Sequence, residues 1–366
     1  MNNYGCTLKK EEQAVFALRG LYEQHGYAPY KMSKFEEYDL YVRNKDFLIS
    51  DGVITFTDTD GKLMALKPDV TLSIIKNSRE QTGCVQKVYY NENVYRVSED
   101  AHCFKEILQT GLECMGDIDD GTLYEVLTLA AESLRRIHPR AVLDIAHRGV
   151  IEDLLAPFAP TDEVLTAVYR CIREKNAHEL VAVCETYGLP APVADILTAL
   201  IHTYGAPEQV LPRLRELLGD TAPIKQLKRL SAAFAGTEYA EMIRIDFSVV
   251  AAGRYYNGIV FKGFVADSPD SVLSGGQYDK LMHKMGRHGG AVGFAVYLDR
   301  LGRQEDRPDY DVDTLLLYPA GCDLAALTKT ADDLRKDGSV MLQKEIPEKL
   351  TYRRLFRFEN GEVKAL

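Results

Sequence analysis

The chain has 366 residues, of which 46% are hydrophobic and 27% are charged, and its formal net charge is −10. This composition is typical of a globular protein rather than a disordered chain, and the length favours about two or three packed units. The negative charge disfavours wrapping around nucleic acid, because a phosphate backbone is repelled unless a basic patch forms locally.

Targeting and cysteine patterns narrow the class of protein further. The N-terminal residues lack the apolar core of a signal peptide, and no run approaches the roughly 18 apolar residues of a membrane span. We therefore expect a cytoplasmic protein. The seven cysteines are scattered and never spaced as Cys-x-x-Cys, which predicts reduced thiols rather than a disulfide framework or a metal site.

The N-terminal part is predicted to combine one helix with short strands. Apolar residues at helical spacing in KKEEQAVFALRGLYEQ predict a helix over residues 9–24. Segments of strand character follow at 46–51 and 53–68. The second segment contains an Asp60-Gly61 pair, which is typical of a hairpin turn.

The middle of the chain changes from strands to helices. Residues 84–97 and 106–116 are predicted to form two strands joined by a polar loop, and residues 122–137 to form a helix. Residues 148–235 then alternate apolar and charged residues at helical periods, with Gly and Pro at the joints. We expect an inserted all-helical block there.

Strands are predicted to resume after this block. The segments AEMIRIDFSVVAA and GRYYNGIVFKGFV are β-prone, and the Asn257-Gly258 pair favours a tight hairpin. SGGQYDKLMHKMG predicts a Gly-rich turn and a helix, and AVGFAVYLDRL predicts a strand and another helix. Residues from about 311 are predicted to form a small βαβ unit followed by a hairpin.

Six motifs in one order resemble the catalytic domain of the class II histidyl-tRNA synthetase family, over roughly residues 5–305. They are LMALKPDVTLSI, YYNENVYRV, EILQTGLECMG, GRYYNGIVF, SGGQYDKL and AVGFAVYLDRL. The resemblance implies an α+β fold, with a mostly antiparallel sheet flanked by helices, in a domain at 1–305 that carries the helical insertion at about 148–235. It also implies that residues 311–366 are a truncated α/β unit similar to an anticodon-binding domain.

The resemblance implies a nucleotide site that has lost part of its chemistry. By position, Arg96 and Arg300 match the two family arginines that hold ATP, and a guanidinium suits phosphate oxygens because its donors form a fork. The alternative is that both are structural arginines in ion pairs. Ala251 stands where the family has the arginine that stabilises the forming adenylate, and loss of one such donor costs about 10²–10³ in rate. We therefore expect no catalytic residue and no cofactor, and a vestigial nucleotide site.

An amino-acid pocket is implied by five further positions. They match the family residues that recognise histidine, and are Asp69, Gln109, Glu113, Tyr255 and Tyr256. An α-ammonium group needs anionic acceptors and an imidazole suits an aromatic wall with hydroxyl groups. Gln109 and Glu113 lie four residues apart in a predicted strand, so both face one side. The alternative is a vestigial core with packed tyrosines and solvated acids.

A retained pocket, a lost adenylation arginine and a short C-terminal unit together resemble the regulatory-subunit family of ATP phosphoribosyltransferase. The resemblance implies a non-catalytic partner of a short catalytic subunit in histidine biosynthesis, with L-histidine as effector and a class II-type dimer inside a hetero-octamer. Neither tRNA nor a membrane is an expected partner. Lys67, where arginine is usual, leaves the local ion pairing open.

Two other classes of protein stay open. One is an enzyme, either a divergent histidyl-tRNA synthetase or a relative that activates another amino acid. The other is a free-standing histidine sensor or a partner of some other enzyme. Ala251 speaks against the enzyme. The basic and aromatic segment TYRRLFRF suits RNA binding, but its alternation fits a surface strand better.

Overall fold

The computed structural model describes most of the chain, and the residues form two compact units. The described ranges are 9–45, 52–78, 83–97, 103–251, 256–301, 310–359 and 361–366. The two units are residues 1–302 and 303–366. Within the described ranges no helix combines the length and the apolar character needed to cross a membrane.

The first unit contains short and long helices and strands. Its helices are α1 (Lys10–Gln24), α2 (Tyr38–Arg43), α3 (Thr71–Asn77), α4 (Asp120–Ile137), α5 (Gly149–Leu155), α6 (Asp162–Arg173), α7 (Ala177–Thr186), α8 (Ala191–Ile201), α9 (Pro207–Leu218), α10 (Ala222–Ala233) and α11 (Asp279–Lys284). Its strands are β1 (Ala28–Pro29), β2 (Phe35–Glu37), β3 (Thr55–Thr57), β4 (Leu63–Leu66), β5 (Val85–Val97), β6 (Phe104–Gly116), β7 (Ala141–His147), β8 (Tyr204–Gly205), β9 (Ile243–Asp246), β10 (Ile259–Val265), β11 (Leu273–Gln277) and β12 (Gly290–Tyr297).

A large sheet organises this unit. In the described part of the chain it has nine strands in the order β1-β5-β6-β12-β11-β10-β7-β9-β8. Only the β1–β5 and β7–β9 pairs are parallel within that set. A smaller sheet has the order β2-β4-β3. The predicted α+β architecture, a mostly antiparallel sheet flanked by helices, is confirmed.

Helices α1 and α4 cover one face of the large sheet. The ring centroid of Tyr22 in α1 lies 6.1 Å from that of Phe294 in β12. Gly263 in β10 faces Leu134 of α4 so closely that an added Cβ would lie 2.6 Å from the leucine methyl carbons. Asp119 caps α4 by accepting a hydrogen bond from the backbone N–H of Thr122 at 2.8 Å. On the opposite face, α3 and α11 pack against β5, β6 and β12 in a second core.

Several sequence predictions of local structure are confirmed. A helix covers Lys10–Gln24, and strands β5 and β6 and helix α4 lie where expected. Strands β3 and β4 pair as a hairpin, whose turn has Gly61 at φ 81°. The Asp58 carboxylate accepts hydrogen bonds from the backbone N–H groups of Asp60 and Lys62, which fixes this turn. The strand expected at 46–51 lies outside the described residues.

The predicted all-helical block contains helices α5 to α10 but also a strand, so the all-helical prediction is wrong. Strand β8 pairs with β9, with Tyr204 opposite Asp246 and Gly205 opposite Ile245. The physical reason is that β9 would otherwise leave backbone donors and acceptors unpaired at a sheet edge.

The hairpin predicted around Asn257-Gly258 is also wrong. Strand β9 ends at Asp246, whose side chain accepts a hydrogen bond from the Ser248 N–H at 2.8 Å and so starts a 3₁₀ turn, Phe247–Ala251. Strand β7, which was not predicted, lies between β9 and β10 in the sheet. The side-chain amide of Asn257 instead donates a hydrogen bond to Asp279 Oδ2 at 3.1 Å.

Two predictions near the C-terminal end of this unit need correction. The Gly-rich segment is strand β11 rather than a turn, because neighbouring side chains fill the space that a Cβ would need. A Cβ on Gly275 would lie 2.5 Å from Phe261 Cζ and from Phe294 Cβ. The helix predicted after β12 is a single 3₁₀ turn, Leu298–Arg300.

The second unit is a βαβ arrangement followed by a hairpin, as predicted. Its elements are β13 (Val312–Leu317), α12 (Leu324–Arg335), β14 (Val340–Gln343), β15 (Tyr352–Glu359) and β16 (Glu362–Ala365), in the sheet order β14-β13-β15-β16. The segment TYRRLFRF falls in β15, where Phe358 is 1% exposed and Phe356 packs against the same core. These rings are core residues, which leaves little aromatic surface for RNA. That this unit is a truncated anticodon-binding unit stays a prediction.

Candidate amino-acid-binding site

A cavity on the opposite face of the large sheet brings together the predicted pocket residues. Asp69, Gln109, Glu113 and Tyr256 all line it. Tyr255 lies outside the described residues. The polar lining also includes Thr71, Tyr90, Arg96, Ser274, Tyr278 and Tyr297. The residues come from α3, from four strands and from the segments beside them, so the site depends on the register of the sheet.

Glu113 is the most deeply buried acid of the cavity. It lies on β6, is 2% exposed, and accepts a hydrogen bond from Thr71 Oγ1 at 2.8 Å and another from the Tyr278 hydroxyl. Burial raises the pKa of Glu113 to about 8, although these two hydrogen bonds oppose the shift. The carboxyl is therefore largely protonated at neutral pH and ionises when a cation binds beside it.

Asp69 lies between β4 and α3 and is 6% exposed. Its Oδ1 accepts a hydrogen bond from the Leu72 N–H at 3.1 Å, which holds the carboxylate at the start of α3. Burial raises the pKa of Asp69, and the nearby positive charge of Arg96 lowers it. The two acids give the cavity affinity for an ammonium group.

Gln109 supplies a donor that no described residue uses. Its side chain is 3% exposed, and its Nε2 has no hydrogen-bond partner among the described protein atoms. A buried unpaired donor is uncommon in folded proteins and marks a place where a ligand acceptor fits. Gln109 lies opposite Tyr297 of β12, so the amide sits beside an aromatic ring.

Tyrosines form the walls of the cavity. Burial raises the pKa of Tyr90 and of Tyr256 well above the usual range, so both hydroxyls stay neutral. The cavity volume is about 30 Å³, which is room for about two water molecules. Binding of an amino acid therefore requires lining side chains to move apart.

The two arginines matched to the nucleotide site bind backbone carbonyls. Arg96 Nε donates to the Pro68 carbonyl at 3.0 Å, and Arg300 Nη1 donates to the Ser271 carbonyl at 2.8 Å. The Arg300 guanidinium also lies 4.4 Å from the ring centroid of Tyr297. Neither forms an ion pair with a carboxylate among the described residues. Arg96 is among the residues that line the cavity, and Arg300 is not.

Lys67 forms the ion pair that the sequence left open. Its Nζ lies 2.5 Å from Glu92 Oε2, with the lysine side chain fully buried and the glutamate side chain 14% exposed. The pair links the residue before Pro68 to β5, and so fixes the segment that carries Asp69.

Thr71 and Tyr278 were missed by the sequence analysis. Both donate to Glu113, yet they lie far from it in the chain. Thr71 stands in the motif KPDVT, two residues after Asp69, and Tyr278 follows the Gly-rich segment. The motifs marked both positions, but only the fold reveals their shared acceptor.

Replacing Gly293 by alanine is expected to destabilise the protein by about 1–3 kcal/mol, because the added methyl group would overlap Glu113 Oε2 and the Leu112 carbonyl oxygen. Gly20→Ala is the matched control. No atom lies within 4 Å of a Cβ at Gly20 in α1, so that change should stabilise the protein by about 0.5–1 kcal/mol. Urea unfolding measures both. Equal effects would contradict the close approach of β12 to β6.

Comparison with known proteins identifies the family. Residues 6–301 match the sequence model of histidyl-tRNA synthetase. The chain belongs to this family. The resemblance inferred from the six motifs and the class II synthetase-like fold are thereby confirmed.

Members of the histidyl-tRNA synthetase family with two different names are similar to this chain. An ATP phosphoribosyltransferase regulatory subunit from Oceanobacillus iheyensis is 24% identical over 299 residues, covering 80% of this chain and 73% of that protein. A histidine–tRNA ligase from Methanocaldococcus jannaschii is 27% identical over 346 residues, covering 91% of this chain and 82% of that protein.

A solved structure shares the fold. It is an ATP phosphoribosyltransferase regulatory subunit/histidyl-tRNA synthetase from Bacillus halodurans, with a TM-score of 0.75 and 21% sequence identity. The match covers 95% of this chain and 93% of that chain. At this identity the likeness supports the histidyl-tRNA synthetase-like fold and nothing finer.

Proposed function

We propose that this chain is a non-catalytic regulatory subunit of ATP phosphoribosyltransferase that binds L-histidine. One observation carries the proposal: Ala251 matches the position of the family's adenylation arginine in the sequence, while the pocket keeps its acids, amide and tyrosines. A methyl group does not stabilise an anionic transition state, so histidine binds without being activated.

The pocket residues have distinct roles in this proposal. Asp69 and Glu113 accept hydrogen bonds from the α-ammonium group of histidine, and Gln109 Nε2 donates to a ligand acceptor. Tyr256 contacts the imidazole, and Tyr255 is a second imidazole-binding residue by its position in the motif. Ionisation of Glu113 accompanies binding, because the ammonium group replaces the solvation that burial removed.

The nucleotide site is vestigial in this proposal. Arg96 and Arg300 each donate a hydrogen bond to a backbone carbonyl, which supports a structural role for both. Glu99 and Asp100 follow Arg96 closely in the sequence, and their negative charges disfavour a triphosphate there.

The partner is a short catalytic subunit, which this chain activates. The likeness to regulatory subunits supports this assignment. Histidine inhibits only by binding the inhibited state of the complex more tightly than the active state, with a coupling of about 1–3 kcal/mol, or about 5- to 150-fold. A hetero-octamer built on a class II-type dimer is the assembly that we propose.

A divergent histidyl-tRNA synthetase is the second candidate, and the likeness to a histidine–tRNA ligase favours it. The two candidates differ in chemistry. A synthetase forms histidyl adenylate from ATP, whereas a regulatory subunit does not.

Mixing the full-length chain with the cognate short catalytic subunit is expected to raise phosphoribosyltransferase activity, and histidine is expected to inhibit the mixture. An assay of product formation, with and without this chain, measures both effects. ATP–pyrophosphate exchange with histidine is the parallel assay and should show no turnover. Absence of activation would contradict the regulatory function. Histidine-dependent exchange would establish the synthetase instead.

A further inference from the structure

A second cavity, of about 310 Å³, lies at the far end of the large sheet. Its lining includes Asp144, Lys175, Tyr204, Arg244, Asp246 and Phe264. Most of these residues lie on β7, β8, β9 and β10. Lys175 lies two positions after the end of α6. Among the described residues, none that lines this cavity lines the first one.

Both cavities open on the same face of the sheet. Ser274 lines the first cavity and lies opposite Lys262 of β10, and Lys262 lies opposite Asp144 of β7. Directly opposed residues on neighbouring strands point to one face. The second cavity therefore begins on β10, the strand next to β11 of the first cavity, along one continuous surface.

One charged pair in this cavity is already satisfied. Lys175 Nζ lies 2.7 Å from Asp246 Oδ2 and 4.1 Å from the ring centroid of Tyr204. Asp246 Oδ1 accepts a hydrogen bond from the Ser248 N–H. The lysine and aspartate charges cancel, and the Tyr204 ring is held in place as a wall.

Two opposite charges remain without partners. Asp144 and Arg244 lie side by side on the parallel strands β7 and β9. Neither forms a hydrogen bond or an ion pair with any described residue. Asp144 is half-buried, and burial, followed by the charge of Asp246, raises its pKa to about 6 against the effects of Arg244 and Lys175. An unpaired, partly buried carboxylate is unfavourable unless a ligand cation balances it.

We propose that this cavity binds a free α-amino acid, with its ammonium group on Asp144 and its carboxylate on the guanidinium of Arg244. The side chain of the ligand packs against Tyr204 and Phe264. A guanidinium fork matches a carboxylate bidentately, and a volume near 300 Å³ is about the lower limit of small-ligand pockets.

Ligands of a single charge fit this cavity less well. An inorganic phosphate satisfies Arg244 but is repelled by Asp144 and Asp246. A simple amine satisfies Asp144 but leaves Arg244 unpaired and adds repulsion from Lys175. A zwitterion cancels both remaining charges at once. This site is separate from the histidine pocket of the proposed function and does not depend on it.

The test uses the full-length chain and calorimetric titration with each of the common L-amino acids at millimolar concentration. The parent and a Glu113→Gln variant, which is altered in the first cavity only, should both bind at least one amino acid. Added to Glu113→Gln, Asp144→Asn and Arg244→Gln should each weaken that binding about 10-fold or more, since each removes a charged hydrogen bond. Asp195→Asn and Arg213→Gln, exposed on α8 and α9, should leave it unchanged.

The pH dependence separates the role of Asp144 from general damage. Asp144 faces Arg244 and Asp246 from β9, Lys175 after α6 and Lys262 from β10. Amino-acid affinity should fall as the pH drops below 6 in the parent, because protonation removes the acceptor charge. Asp144→Asn should bind weakly at every pH and should melt no lower than the parent at pH 8.

Three results would overturn the proposal. The first is no amino-acid binding by the Glu113→Gln variant. The second is amino-acid binding by Glu113→Gln that the added Asp144→Asn and Arg244→Gln substitutions leave unchanged. The third is binding of inorganic phosphate that is lost in Arg244→Gln and kept in Asp144→Asn, which would make the cavity an anion site.

Discussion

Replacing Glu113 by glutamine is expected to weaken histidine binding about 10- to 150-fold, because the change removes a buried carboxylate that accepts from the ligand ammonium group. Glutamine keeps the size of the side chain, so the effect reports charge. Calorimetric titration with histidine measures the affinity. Glu106→Gln is the matched control, since Glu106 lies exposed on the same strand. Equal affinity of the parent and Glu113→Gln would place histidine elsewhere.

Proton release gives a second readout of the same prediction. Burial raises the pKa of Glu113 to about 8 in the free protein, and a bound ammonium group lowers it. Histidine binding at pH 7 should therefore release a proton from Glu113, and affinity should rise as the pH approaches 8. Titrations in buffers of different ionisation enthalpy count this proton. Glu113→Gln should release none from this site.

The same shift predicts that Glu113→Gln folds. A raised pKa in the folded protein contributes stability below pH 4.5, the ordinary value, and this contribution is lost as the pH rises to about 8. The variant has no such loss. The melting temperature of the variant minus that of the parent should therefore increase as the pH is raised from 5 to 8.

Replacing Lys67 by methionine is expected to destabilise the protein by about 3–5 kcal/mol, because Glu92 would keep a largely buried charge without its partner. The ammonium group is fully buried and lies 2.5 Å from the carboxylate. Urea unfolding measures the loss. The double variant Lys67→Met/Glu92→Gln should recover most of it, since no charge is then left unpaired. Lys105→Met, at an exposed position of β6, should change stability little.

A small loss in Lys67→Met, or a double variant as unstable as the single one, would contradict this assignment. The first result would mean that water reaches Glu92. The second would mean that the aliphatic chain of Lys67 matters more than its charge.

Local patterns predicted the elements that local interactions determine. Apolar spacing located α1 and α4, and turn chemistry located the Asp60-Gly61 hairpin. Strand β7 escaped prediction, because its place between β9 and β10 depends on pairing with residues about a hundred positions away. Gly275 was assigned to a turn for the same reason, since only the sheet reveals the rings of Phe261 and Phe294 above it.

In the candidate site, too, motifs predicted individual residues, whereas contacts between distant segments depend on the fold. Asp69, Gln109, Glu113 and Tyr256 were predicted from motifs, and the structure places all four around one cavity. The hydrogen bond from Tyr278 to Glu113 depends on how β11 and β12 align with β6, which no single motif contains.

Strands of two residues end the large sheet on both sides, in the part of the chain that the structure describes. One edge is β1, where Pro29 has no N–H to offer, and the other is β8, which belongs to the helical block. A long open edge can pair with another copy of the chain and lead to aggregation. At β1 and β8 themselves, a second molecule therefore finds almost no ladder on which to extend the sheet.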